Sequence, residues 1–280
     1  ASELRLRLRG QLRDLSFASC ACFEELAAVA NNEFGLVRKG LIMLCLTQQS
    51  FDHEAAFAGQ ANQLGVPAEV LDAFALARLE PNVTMKVAGG VYFPKDCHLT
   101  PSRFMDSLKQ QCDKAGVKFL WETETISWRS TNNVRLEAVT CRGPRGTADY
   151  SGDEFVLCAG SWSPLVVREL GLKLPMQAGK GYSLTLKKPR ELPQICAIFT
   201  EARVAVTPMG QALRFGGTME IAGLNEDVNP VRIQGIIKSV PRYFPKFTAC
   251  DFEGVQPWRG LRPCSPDGLP YVGRTTRFKN

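Results

Sequence analysis

Along the first thirty residues Leu4, Leu8, Leu12, Leu15, Phe23 and Leu26 recur at spacings near three and four, which predicts one amphipathic helix closed by Asn31-Asn32. The continuous apolar run Leu41 to Leu46 predicts a buried strand, Phe51 to Leu64 and Val70 to Leu79 short helices, and Lys86 to Phe93 a further strand. Thr100 before Pro101 has the chemistry of a helix start, and the helix Pro101 to Ala115 is expected to stop at Gly116, with Val117 to Trp121 as a strand after it. Thr123 to Arg129, Val134 to Arg142 and Thr147 to Tyr150 alternate polar with apolar residues around Asn132-Asn133 and Arg142-Gly143-Pro144, the pattern of a small antiparallel meander.

Glu154 to Cys158 reads as a short strand that runs through Ala159-Gly160 into a helix near Pro164. Strands are then expected at Gly181 to Lys187, Ile195 to Thr200, Val204 to Pro208 and Ala212 to Gly217, and a helix at Pro230 to Tyr243 precedes the segment Pro257 to Gly273. Helix-then-strand units mixed with meanders imply a mixed α/β and α+β chain in two domains threaded through each other.

The 280 residues carry a formal charge of +6, scattered among acids except for Arg5, Arg7, Arg9 and Arg13, which read as a solvated helix face. That distribution gives no support to a nucleic-acid partner. The ten cysteines include no C-x-x-C pair and only His53 and His98 could assist them, so metal binding is not expected. Reduced, mostly buried thiols are expected instead. The apolar run Leu41 to Leu46 falls far short of the roughly twenty residues of a membrane span.

Chemistry concentrates in four stretches: Gly89 to Pro94, Val156 to Ser163, Gly179 to Ser183 and Trp258 to Gly273. A strand running into Ala159-Gly160 and then a helix lets a ligand approach the backbone and offers free N–H groups, although a tight turn without ligand uses the same residues. Arg262 follows Gly260-Leu261 and precedes Pro263; its planar guanidinium can hold a carboxylate through two parallel hydrogen bonds. Arg259 on the same loop is its rival. Tyr182 and Tyr271 are candidates to place a hydroxyl near a substrate, or else pack as amphipathic residues. His98 reads as a local structural partner and Cys158 as a small buried residue. No Ser-His-Asp or Cys-His set is evident, which leaves hydrolytic covalent catalysis unsupported.

These stretches, with Thr207 to Gly210 and Arg214 to Glu220, keep the order and spacing of the D-amino-acid dehydrogenase branch of the FAD-dependent amine and amino-acid oxidoreductases, which the sequence resembles from about residue 34 to its end. The resemblance implies FAD as cofactor, with Ile126, Ala159, Gly160, Trp162 and Gly260 beside it. It implies Arg262, Tyr182 and Tyr271 at a small amino-acid substrate, which loses hydride to the flavin and ends as a 2-oxo acid. No separate acid or base is required, because the cofactor carries the difficult chemistry.

On this reading the helix 1–33 leads into a substrate domain (34–95 and 164–256) interleaved with FAD-binding segments (96–163 and 257–280). The resemblance further implies a quinone-linked electron acceptor and a cytoplasmic place, with peripheral attachment at the inner face of a membrane as an option. A glycine- or sarcosine-type oxidase using oxygen and a non-catalytic substrate-domain remnant are the alternatives. The G-x-G-x-x-G turn and its acidic ribose partner are not in this sequence, nor is the Gly-rich segment that follows in the family. The expectation is a piece of a longer protein that binds FAD poorly by itself.

Overall fold

A computed structural model describes residues 2–132 and 134–280, with side chains from Gly10 onward. The readings that concern the side chains of Leu4, Arg5, Arg7, Leu8 and Arg9, and the reading made on Asn133, lie outside what is described. The chain divides into two compact units, one formed by Ala1–Cys112, Gly181–Met219 and Asp227–Arg259, the other by Asp113–Lys180, Glu220–Glu226 and Gly260–Asn280.

The first unit opens with helix α1 (Ser2–Val29), after which Asn31 and Asn32 take positive φ and end it. Strand β1 (Leu41–Cys45) leads to helix α2 (Gln48–Gln63), whose first turn is capped by the Thr47 side chain. Val70 to Leu79, expected as one helix, divides. Glu69–Asp72 is strand β2 and Ala73–Leu79 is helix α3, because Asp72 accepts the Ala75 N–H and starts the helix only there. Strand β3 (Gly89–Phe93) precedes helix α4 (Pro101–Lys114), which packs on α1 through Phe104, set edge-on against Phe23 and Phe34 with ring centres 5.1 Å away from each.

The second unit carries β4 (Glu124–Thr131), β5 (Arg135–Gly143) and β6 (Gly146–Ser151), a three-stranded antiparallel meander in that order. A single turn of 3-10 helix at Gly160–Trp162 runs into the four-residue α5 (Ser163–Val166). Its small core is Leu136, Val167, Leu170 and Phe278, flanked by Trp128, whose indole N–H reaches the Val166 carbonyl at 2.8 Å. Two expected strands are missing: 117–121 and 154–158 are extended but have no ladder partner among the described residues. Phe119 and Trp121 stack on each other instead, with ring centres 5.2 Å apart.

Strands β7 (Gln177–Leu186), β8 (Cys196–Phe199), β9 (Val204–Met209) and β10 (Ala212–Ile221) follow, then helix α6 (Pro230–Tyr243) and β11 (Trp258–Cys264). The large sheet has the order β11-β7-β10-β9-β8-β1-β3-β2, with β1 parallel to β8 and antiparallel to β3. In the first unit α6 covers one face of this sheet. Ile233, Ile236, Val240 and Tyr243 meet Phe199, Phe215 and Leu213, and Tyr243 stacks flat on Phe199 at 4.1 Å. Gly217 permits the close fit, since a Cβ there would stand 2.8 Å from Val204 Cγ2. The mixed α and β architecture expected from the sequence is the one the chain adopts.

The cysteine reading needs correction. Cys45, Cys141 and Cys196 are buried, but Cys22, Cys158 and Cys250 are exposed and the other four are half-buried. Cys158 lies in one of the extended segments without a ladder, where nothing covers it.

Candidate functional site

Alternation along β10 sends Leu213 and Phe215 into the aromatic core and Arg214 to the opposite face of the sheet. Arg214 Nε donates to Thr185 Oγ1 on β7 at 3.4 Å, and Gly216 lies against Ser183. The two contacts step in opposite directions along the chain, so β7 and β10 run antiparallel and their small polar residues share this face. Partial burial holds the Arg214 guanidinium below the usual arginine range, and no carboxylate among the described residues pairs with it. On the same two strands, Ser183 Oγ and Thr218 Oγ1 are buried without a hydrogen-bond partner among the described residues. Unpaired buried hydroxyls and a desolvated cation without an anion are costly in an interior that needs nothing from them, and they suit a ligand carboxylate. Sequence reading quoted this stretch only for its resemblance. The available signal was a lone arginine in an alternating strand with an apolar inner face.

Of the residues singled out from sequence, Tyr182 is buried in the same unit, and its hydroxyl accepts the N–H of Asn229, the residue that caps α6, at 3.3 Å. The others lie in the second unit, apart from the Trp258–Arg259 start of β11. Tyr271 is half-exposed and donates to the Pro175 carbonyl at 2.7 Å. Arg262 is an exposed residue of β11, and Gly260 two residues earlier is half-buried. Ser161 Oγ donates to the Leu261 carbonyl at 3.2 Å, which brings the Ala159–Trp162 turn against the Gly260–Arg262 stretch. Gly160 has φ +53 and no heavy atom within 4 Å of where a Cβ would stand, so its backbone is open on that side. Trp162 is exposed beside it, whereas Ile126 is on the separate meander and exposed there.

The second unit holds one charge that sequence reading passed over. Lys180 is 2% exposed, with Nζ 3.1 Å from Asn225 Oδ1 and 3.6 Å from Glu220 Oε1. A buried ammonium requires such partners, and the signal was a lysine between two glycines in an otherwise apolar strand. In the first unit His98 bridges to Val37 through the backbone, and burial together with Lys39 holds its imidazole below the usual range.

The profile of the FAD dependent oxidoreductases matches residues 2–280. The chain belongs to that family. It is 32% identical to the D-amino acid dehydrogenase of Granulibacter bethesdensis over 277 residues, covering 97% of this chain and 62% of that protein. With the D-amino acid dehydrogenase of Agrobacterium fabrum the identity is 35% over 86% of this chain and 57% of the relative. The chain therefore spans about three-fifths of the length of these curated relatives. Among solved structures the fold is shared with the glycine oxidases of Bacillus cereus (TM-score 0.82, 22% identity, 96% of this chain and 73% of that one) and Geobacillus kaustophilus (0.79, 23%, 94% and 70%). No helix among the described residues is long and apolar enough to cross a membrane.

Proposed function

We propose that the protein oxidises a small amino acid, a D-amino acid in preference, by hydride transfer to FAD. The observation that carries this reading is the partly buried Arg214, with no acid paired to it among the described residues, on a strand pair that also holds two unpaired buried hydroxyls, in a chain of the FAD dependent oxidoreductase family. FAD, when bound, supplies the hydride acceptor. The open backbone at Gly160 and the exposed ring of Trp162 fit a large planar nucleotide approaching the turn, with Ala159 and Gly260 next to it and Ile126 toward the adenine end.

Arg262 is assigned the substrate carboxylate, which its planar fork can grip, and Arg214 is the alternative arginine for that role. Ser183 and Thr218, on the two strands that carry Thr185 and Arg214, offer hydroxyls to a ligand held at Arg214. Tyr182 and Tyr271 position the site: Tyr182 ties β7 to the start of α6, and Tyr271 ties the loop after β11 to Pro175. Fixing the α-carbon in this way is the protein's main contribution to rate. The similarity to D-amino acid dehydrogenases favours a quinone-linked acceptor over oxygen, and with it a cytoplasmic protein attached peripherally at the inner face of a membrane.

Steady-state kinetics of the flavin-loaded enzyme test the assignment. Arg262→Lys keeps the charge and loses one of two charge-assisted bonds, about 1.5–3 kcal/mol, or roughly ten- to a hundredfold in kcat/KM with flavin content unchanged. Arg262→Ala costs more, and Arg259→Lys less. Near-normal kcat/KM in Arg262→Ala would remove Arg262 from the site, and a collapse in Arg214→Gln at the same time would give the carboxylate to Arg214.

A further inference from the structure

A cavity of about 520 Å³ opens in the first unit at one end of the large sheet. The register of β1 against β3 and β8, with Ile42 opposite Tyr92 and Leu41 opposite Cys196, brings three segments to this end: Arg38-Lys39 before β1, Tyr92 on β3 and Gln194-Ile195 before β8. The last turn of α3 adds Arg78. Tyr92 donates its hydroxyl to the Lys39 carbonyl at 3.0 Å, which fixes the backbone carrying that lysine.

The charge around the cavity is one-sided. Its acid, Glu80, is 2% exposed and already committed, with Oε2 accepting the N–H groups of Gln194 at 2.7 Å and Ile195 at 2.8 Å. Its other oxygen accepts the Asn82 N–H at 3.3 Å. Against this stand three cations. Lys39 bonds to the neutral side-chain amide of Gln194, and Arg78 lies over the Phe74 ring at 5.0 Å with no acid paired to it among the described residues. Arg38 meets Glu24 at 3.1 Å in an exposed pair that solvent keeps weak. The lining is mostly polar, with one apolar patch formed by Leu79, Pro81, Ile195 and the Tyr92 ring. The volume is in the range of small-molecule sites.

From this arrangement we propose that the cavity binds a small phosphomonoester, its phosphate held by Arg38, Lys39 and Arg78 and its organic body resting on the apolar patch. A monocarboxylate is served by a single arginine fork, whereas a phosphate near neutral pH carries nearly two charges and three acceptor oxygens and can engage all three cations. The site is independent of the amino-acid reading above and draws on none of its residues.

Isothermal titration of the purified protein with phenyl phosphate tests it, because that probe supplies both the phosphate and a flat apolar body. One saturable site is expected, with affinity that falls as salt rises. Arg78→Ala and Lys39→Ala, both exposed positions, should each weaken binding about tenfold or more, while Arg168→Ala in the other unit leaves it within roughly twofold. Benzoate should bind about tenfold more weakly than phenyl phosphate. Absence of saturable binding up to about 10 mM, an equal loss in Arg168→Ala, or benzoate binding as tightly as phenyl phosphate would overturn the proposal. So would capture by phosphatidic acid vesicles without binding of phenyl phosphate, which would assign the cations to a lipid surface. The benzoate and vesicle arms use the wild-type protein and stand even where a variant fails to fold.

Discussion

The two units bury their apolar residues very differently. In the first, Phe199, Phe215, Tyr243, Phe244, Phe247 and Phe252 interlock as stacked and edge-on rings between the sheet and α6. In the second, a cluster of four buried residues, Leu136, Val167, Leu170 and Phe278, supports a three-stranded meander. The contrast separates two conditions that a hydrophobic pattern merges. A run of apolar residues shows that a segment gains by burial, but a strand exists only where a neighbour completes its hydrogen bonds. Leu41 to Cys45 has neighbours on both sides; 154–158, with a similar pattern, has none among the described residues.

If this contrast is right, the largest effect of a single core truncation falls in the first unit. Phe199→Ala removes the ring that stacks on Tyr243 and meets Phe244 edge-on, and should cost about 3–5 kcal/mol in urea unfolding. A loss below about 1 kcal/mol would show that the aromatic cluster is loosely packed.

The same contrast explains what could be read beforehand. Helix α6 was legible to the residue because Asn229-Pro230 supplies a cap and a first-turn proline and the apolar period runs unbroken to Tyr243. The meander was legible because its strands pair only with each other, so local pattern and turn residues suffice. Val70 to Leu79 misled because Asp72, a helix start, sits inside the apolar run, and no count of apolar spacings reveals which side of it is helical. Among the candidate residues, Arg262 was conspicuous through its Gly-Leu-Arg-Pro context. Arg214 was not, since its significance comes from the absence of an acid on a sheet face assembled from two strands about thirty residues apart. That is a property of pairing rather than of sequence order.

A smaller effect belongs to the second unit. Leu170 is buried beside Leu136, Val167 and Phe278, in a cluster with few layers around it, so the vacated space can partly collapse. Leu170→Ala should therefore cost about 2 kcal/mol, the lower end for such a truncation, read from the same urea curves. A loss equal to that of Phe199→Ala would break the comparison, because it would mean that the second unit is packed as tightly as the first.

The smallest effect sharpens the comparison through pH. In the first unit Glu201 accepts the N–H groups of Leu46 at 2.9 Å and Thr47 at 3.0 Å, and the Tyr243 hydroxyl donates to its other oxygen at 2.5 Å. Burial pushes the Glu201 carboxyl up, but these bonds outweigh it and hold the group below its ordinary value of 4.5. A carboxylate whose folded-state pKa is depressed contributes stability that is complete above its unfolded pKa and disappears as pH falls through the folded one. Tyr243→Phe keeps the ring stacked on Phe199 and removes only the hydroxyl, so Glu201 should move back toward its ordinary value. Because Glu201 is exposed, solvent screens the interaction, and the loss at about pH 7 should be about 1 kcal/mol rather than the full strength of a buried charged hydrogen bond. At an acid pH low enough to protonate Glu201 in both proteins, the difference should shrink. Unfolding curves of the two proteins at both pH values decide the matter: a deficit as large in acid as at neutrality would show that the hydroxyl matters only for packing, and that the link between α6 and Glu201 carries no charge-dependent stability.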